Sequence, residues 1–251
     1  MVSILECSEE EHRLIQEAQN TYDKYFISAC ECVDFSWDFI QSVSAEAFVF
    51  NAFLTQTNKF LQLSLLSLIR HHTMQCYLNL RTAIESTTLA CYALHKTDEN
   101  EFIKRHDVYN DILLEQPGIK TKANKWLDLN YKTHSEKLKI AKTDNINKYY
   151  AHSNLVSAFS NVDFTDPNMS YSNFFDKKDI FTMKFELMAL GNIALTQIDL
   201  IGIVIHDYSH LAKLAVDFEE RKSLLFQNNF FLYDQLTKEP FHSKINFSKQ
   251  E

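Results

Sequence analysis

The first 116 residues contain neither glycine nor proline, and the whole chain of 251 has three of each. That scarcity constrains the fold more than any motif does. Hairpin turns draw on Gly, Asn-Gly and Pro because they need a positive or preset φ. Folds that alternate strands with helices spend glycine at their connecting loops. A chain without these residues has few places to turn tightly, so long helices joined by few turns are expected. The residues are 45% hydrophobic and 23% charged, as in a soluble globular domain. A chain of this length can bury a sizeable core. The expected class is all-α, a helical bundle in a single domain spanning residues 1–251.

The elements follow from periodicity. Ser8 and Glu11 read as a capping box that opens an acidic helix over about 8–35. Its stripe is Leu14, Ala18, Tyr22, Phe26, Cys30 and Val33, at spacings of three or four. A short helix is predicted over about 45–53, with Thr55 to Asn58 breaking or bending the chain. The stretch Leu66 to Leu94 reads as one uninterrupted helix whose only charges are Arg70, Arg81 and Glu85. It is predicted to run over about 59–95 and to pack antiparallel against a second long helix over 178–221, which Gly191 or Gly202 would kink. These two form the expected centre of the bundle. Between them, helices are predicted over 101–115, 120–141 and 143–159, followed by a loop over 161–176 whose aromatic residues pack down. A short helix over 223–236 and a tail over 240–251 complete the chain.

Charge is unevenly spread. The net charge is −8, and residues 1–50 alone hold ten acids against Arg13 and Lys24. Lys120 to Tyr150 holds eight lysines against Asp128, Glu136 and Asp144. Net charge excludes a generic nucleic-acid binder, whereas the local basic segment suits phosphate. Five cysteines at 7, 30, 32, 76 and 91 have no zinc spacing and read as free thiols in a reducing compartment. The start of the chain is acidic rather than basic, so no signal peptide is expected. The apolar run Ile193 to Ile205 is interrupted by Gln197 and Asp199 and is too short to span a bilayer. A cytoplasmic protein is expected.

Four constellations carry candidate chemistry. Arg81 and Glu85 share a helix face at i, i+4; they read as a clamp between helices or as an anion-facing arginine oriented by Glu85. His206 and His210 stand at H-x-x-x-H, a spacing at which one helix face can hold a metal ion, with His152, Glu85 or Asp199 as possible third ligands. The bland reading is two histidines hydrogen-bonded to neighbouring helices. His71 and His72 point about 100° apart on a helix and read as structural. Finally, Lys137, Lys139 and Lys142, with Tyr149 and Tyr150, read as an RNA-binding segment. Lysines would hold the phosphates, and Trp126 and Tyr131 would offer stacking surfaces. Its alternative is a solvated lysine-rich face. There is no G-x-S-x-G, phosphate loop or dinucleotide fingerprint, and no cofactor is expected.

Two stretches together resemble a known family. Leu78-Asn79-Leu80-Arg81-Thr82-Ala83-Ile84-Glu85 runs on to Tyr92-Ala93-Leu94, and Tyr149-Tyr150-Ala151-His152-Ser153 precedes the last long helix. The arrangement resembles the HEPN superfamily, helical domains of bacterial toxins, abortive-infection proteins and RNA-processing factors. The resemblance covers about residues 60–215. It implies a dimeric, metal-independent endoribonuclease whose motif is an Arg, four to six residues, then a His. Here His152 has no arginine ahead of it after Arg105; Asn145, Ile146 and Asn147 fill those places and Lys148 is the nearest cation. The resemblance therefore implies His152 as acid/base and Lys148 or Arg81 as the phosphate-holding cation, or a member that kept the bundle for binding alone. A different class is a non-catalytic interaction module that meets a protein partner through the acidic N-terminal helix. A metal-dependent hydrolase through His206 and His210 is the third.

Overall fold

The computed structural model describes residues 3–105, 113–147, 162–166, 169–172 and 174–238. Its first helix, α1 (Ile4–Asp38), is capped by Ser3, five residues before the expected cap. Ser3 accepts from the Glu6 backbone, and Glu6 accepts from the Ser3 backbone in return, which satisfies two otherwise orphaned donors. Glu11, expected in that role, is used elsewhere. The buried stripe of α1 is Ala18, Tyr22, Tyr25, Ala29, Cys32 and Val33, while Phe26 and Cys30 sit at its margin.

A short strand, β1 (Ile40–Val43), leads into α2 (Phe48–Ile69). The polar run Thr55 to Asn58 does not break α2. Thr55 and Thr57 turn their hydroxyls back onto the carbonyls of Asn51 and Phe53, so the helix absorbs them.

The expected single helix over 59–95 divides in two. α2 ends at Ile69 and α3 (Thr73–His95) begins after a tight elbow. His71 has φ +60. Its N–H donates to Leu68, and that of His72 donates to Ser67, the paired bonds of a Schellman end. Glycine normally takes the left-handed position, and here a histidine does. Distant groups hold it there. The Tyr22 hydroxyl lies 2.9 Å from His71 Nε2, and the Asp176 backbone N–H donates to the His71 carbonyl. The Asp176 carboxylate accepts from Thr73 N–H at 2.6 Å and so caps α3 from another part of the chain. The rings of Phe174 and Phe175 lie against His72; of these two aromatics of the expected loop Phe175 packs down, while Phe174 stays 55% exposed.

Where a helix is expected over 101–115, β2 (Ile103–Arg105) pairs antiparallel with β3 (Leu113–Glu115). The helix expected over 120–141 breaks at Tyr131 into α4 (Ile119–Asn130) and α5 (Lys132–Ile140). A π-helical turn, Ala141–Asn147, continues α5. The expected loop over 161–176 contains the pair β4 (Val162–Asp166) and β5 (Met169–Ser172).

The last long helix, α6 (Ile180–Asp207), is capped by Asp179 and ends well before residue 221. β6 (Ala212–Leu214) then pairs with β1, and α7 (Phe218–Lys238) closes the chain. α6 runs on through both glycines, which serve close approach rather than a kink. A Cβ at Gly202 would lie 2.4 Å from the Phe218 ring, and one at Gly191 2.9 Å from the Asn229 amide.

The class is all-α, with short strand pairs at the ends of helices. α6 is the hub and touches α1, α2, α3, α5 and α7. One continuous apolar cluster reaches from α1 to α7. A buried polar bridge crosses it, where Thr87 of α3 donates to Gln197 of α6 at 2.6 Å. α6 as a whole is long and apolar enough to cross a bilayer, although 67% of its most apolar window is buried inside the protein, as in the core helix of a soluble protein. All five cysteines are free thiols.

Candidate functional site

The face of α3 that carries Arg81 and Glu85 meets α4 and the π-helical turn. Arg81 Nε donates to Glu85 Oε1 at 3.2 Å. Lys142 Nζ reaches the same oxygen at 2.8 Å, and Lys120 Nζ lies 3.5 Å from Oε2. One carboxylate thus gathers three cations from three elements. The pair is less buried than a helix surrounded on all sides would make it: the side chains of Arg81 and Glu85 are 33% and 21% exposed. Burial pushes the Glu85 carboxyl up, but the hydrogen bonds and charges of Lys142, Arg81 and Lys120 outweigh it and hold the group below its ordinary range. Glu85 is ionised at neutral pH.

Behind these charges is a cavity of about 30 Å³ between α3, α4 and α5, walled by Ile84, Leu89, Leu127 and Leu138. It holds about one or two water-sized molecules and no base. Asn124, Ser135 and Lys139 also line it. Lys139 is turned onto Asp128, at 2.6 and 2.5 Å from its two oxygens, and Ser135 donates to the same carboxylate.

The expected RNA-binding segment is therefore only partly a row of outward lysines. Lys142 points inward to Glu85 and Lys139 is tied to Asp128. Lys125 and Lys137 are exposed, with no ion-pair partner among the described residues. Lys148, Tyr149, Tyr150 and His152 lie outside the described residues.

Trp126 and Tyr131 are half-buried and occupied by other side chains. Trp126 stacks on His95 with centroids 5.3 Å apart, and it meets Tyr92 and Tyr131 edge-on. Tyr131 donates to Asp207 at 2.6 Å. Burial and the Asp207 carboxylate raise its phenol well above the ordinary range. His95, which no sequence pattern singles out, lies 3.0 Å from the Tyr208 hydroxyl through Nδ1.

The metal reading of His206 and His210 loses its geometry. α6 ends at Asp207, so His206 closes the helix while His210 lies in the turn beyond. The two do not share a helix face, and both are exposed. Of the third ligands considered with them, Glu85 is engaged with its cations and Asp199 with His134 at 3.0 Å and Lys222 at 2.9 Å, while His152 lies outside the described residues. Among the described residues no three His, Cys, Asp or Glu side chains stand together as a metal would need. His210 sits near Tyr208, whose hydroxyl meets His95 at the C-terminal end of α3. His95 at that end is about 15 Å along the helix from Glu85. Arg81 and Glu85 converge with lysines and not with His210.

The sequence ranks Lys120 as one basic residue among eight and offers no signal that it faces Glu85. That pairing depends on where α4 lands. The same is true of His134, Asp199 and Lys222, which come from three helices. Compared with known proteins, the chain matches no family model, no curated protein and no solved structure.

Proposed function

We propose that this protein binds RNA through the lysine-bearing surface of α4, α5 and the π-helical turn where it meets Arg81 of α3. The observation that supports this most is the convergence of Arg81, Lys120 and Lys142 on Glu85. Exposed Lys125 and Lys137 lie on the same two lysine-bearing helices. The HEPN-like pattern of Arg81 and Glu85 in the first stretch, and of His152 in the second, agrees with this reading. In it His152 acts as acid/base if the RNA is cleaved.

The test is binding of a fluorescent single-stranded RNA across a salt series. Three or four phosphate contacts give a log–log slope of about −2 to −3, at about −0.7 per contact on a single strand. Arg81→Ala combined with Lys137→Ala weakens binding and flattens the slope. Affinity that ignores salt, or is unchanged in the double variant, overturns the proposal. Incubating RNA with the protein in chelator, beside His152→Ala, tests cleavage separately. Cleavage that is absent, or equal in the variant, removes the catalytic role of His152.

A further inference from the structure

We propose that the cluster around Glu85 is a site for one phosphate monoester, such as the terminal phosphate of an RNA strand or a free mononucleotide. The proposal rests on the phosphate-binding reading above and narrows it from a strand to an end group.

The first support is shape. Arg81 Nε and Lys142 Nζ lie 3.2 and 2.8 Å from the same carboxylate oxygen and so are no more than about 6 Å apart. Lys120 approaches the other oxygen. A strand that runs past a protein presents phosphates one after another, which a row of cations matches. Here the cations meet at a point and are backed by the apolar wall of Ile84, Leu89, Leu127 and Leu138. A single phosphate group can be met by all three cations at once.

The second support is charge. Three cations against Glu85 leave an excess of two positive charges. Glu115 also reaches Lys120, at the same 3.5 Å as Glu85, so the excess lies between one and two positive charges. A phosphate monoester carries about −1.5 to −2 at pH 7, while a diester link carries one negative charge. The upper part of that range of excess charge suits a monoester.

The third support is unused donors. Arg81 gives only Nε to Glu85, and its two Nη groups have no partner among the described residues. Those groups form the planar fork that matches two phosphate oxygens. Glu85 holds the guanidinium by Nε, and a third of the Arg81 side chain is exposed. The carboxylate positions the cations, and the phosphate sits on their outer side.

The experiment compares one short single-stranded RNA with a 5′-phosphate, a 3′-phosphate or hydroxyls at both ends, by fluorescence anisotropy. A parallel arm measures thermal stability with AMP and with inorganic phosphate. Each is run on the unmodified protein, on Arg81→Ala and on Arg81→Lys, which keeps the charge and removes the fork. A phosphorylated end is expected to bind about tenfold tighter than the hydroxyl-ended strand. Both variants lose most of that preference while still binding RNA. Equal affinity for all three strands, with no stabilisation by AMP or phosphate, overturns the inference and leaves RNA binding standing. No binding of any strand, with Arg81-dependent stabilisation by AMP or phosphate, overturns the RNA reading and keeps the site, with a free phosphate ester as its ligand. A preference that survives in Arg81→Lys removes the fork from the argument and overturns the assignment of Arg81.

Discussion

Glu85 shows how a residue's role depends on its neighbours. On its own helix it has Arg81, an i, i+4 pair of small worth in water. In the fold it also holds Lys120 and Lys142, so that α3, α4 and the π-helical turn are tied at one point. Removing the charge leaves three cations facing one another. Glu85→Gln is therefore expected to cost roughly 1 kcal/mol at pH 7, once screening is allowed for, and to lower Tm by about 2–4 °C. The pH dependence follows from the depressed carboxyl. Its contribution is fully present above the ordinary carboxyl range and is lost as pH falls through the folded value. The Tm difference between the unmodified protein and the variant should narrow below about pH 4. A constant difference from pH 7 to pH 3 would show that the carboxylate is not what stabilises the cluster.

At the scale of elements, the elbow between α2 and α3 is the feature least visible beforehand. Burial pushes the His71 imidazole below its ordinary range, and the nearby Asp176 opposes this only in part. A half-buried histidine held neutral stabilises above its unfolded pKa, near 6.5, and loses that contribution as pH falls through the lower folded value. His71→Asn tolerates the left-handed backbone and carries no titrating ring. Stability measured between pH 7 and pH 5 should fall less in this variant than in the unmodified protein, and an equal fall would clear His71 of the effect. Asp176→Ala removes a cap and is expected to cost about 1–2 kcal/mol, most of it absent in Asp176→Asn.

For the whole molecule, closure depends on α7 coming close to α6. Gly202 makes room for the Phe218 ring, which also stacks on Phe35 of α1 at 5.9 Å and tilts against Phe39 at 5.8 Å. The ring has neighbours on each side and little space to retreat. Gly202→Ala should therefore destabilise by about 1–3 kcal/mol through overpacking, against the usual helix gain of alanine over glycine. Chemical denaturation would show it as a lower midpoint with the slope unchanged. Gly202→Ala with Phe218→Leu should recover part of the loss, because the two changes share one contact. A stabilised single variant would mean that the α6–α7 crossing relaxes freely.

Helices, their apolar faces and the all-α class were legible in the residues, because propensity and periodicity act over one or two turns. The uneven charge was legible for the same reason. Breaks were not. The elbow at His71 carries no glycine or proline, and Tyr22, Asp176 and Phe175 impose it from elsewhere in the chain. The strands β2 and β3 likewise depend on pairing rather than pattern. The site divides along the same line. Arg81 and Glu85 stood out as a charged pair on an apolar helix, which local pattern decides. That Lys120 and Lys142 complete the cluster, while His210 lies at the far end of α3, was decided by where α4, α5 and the end of α6 pack. Long-range packing has no period, so tertiary structure alone turned a pair on one helix into a cluster drawn from three elements.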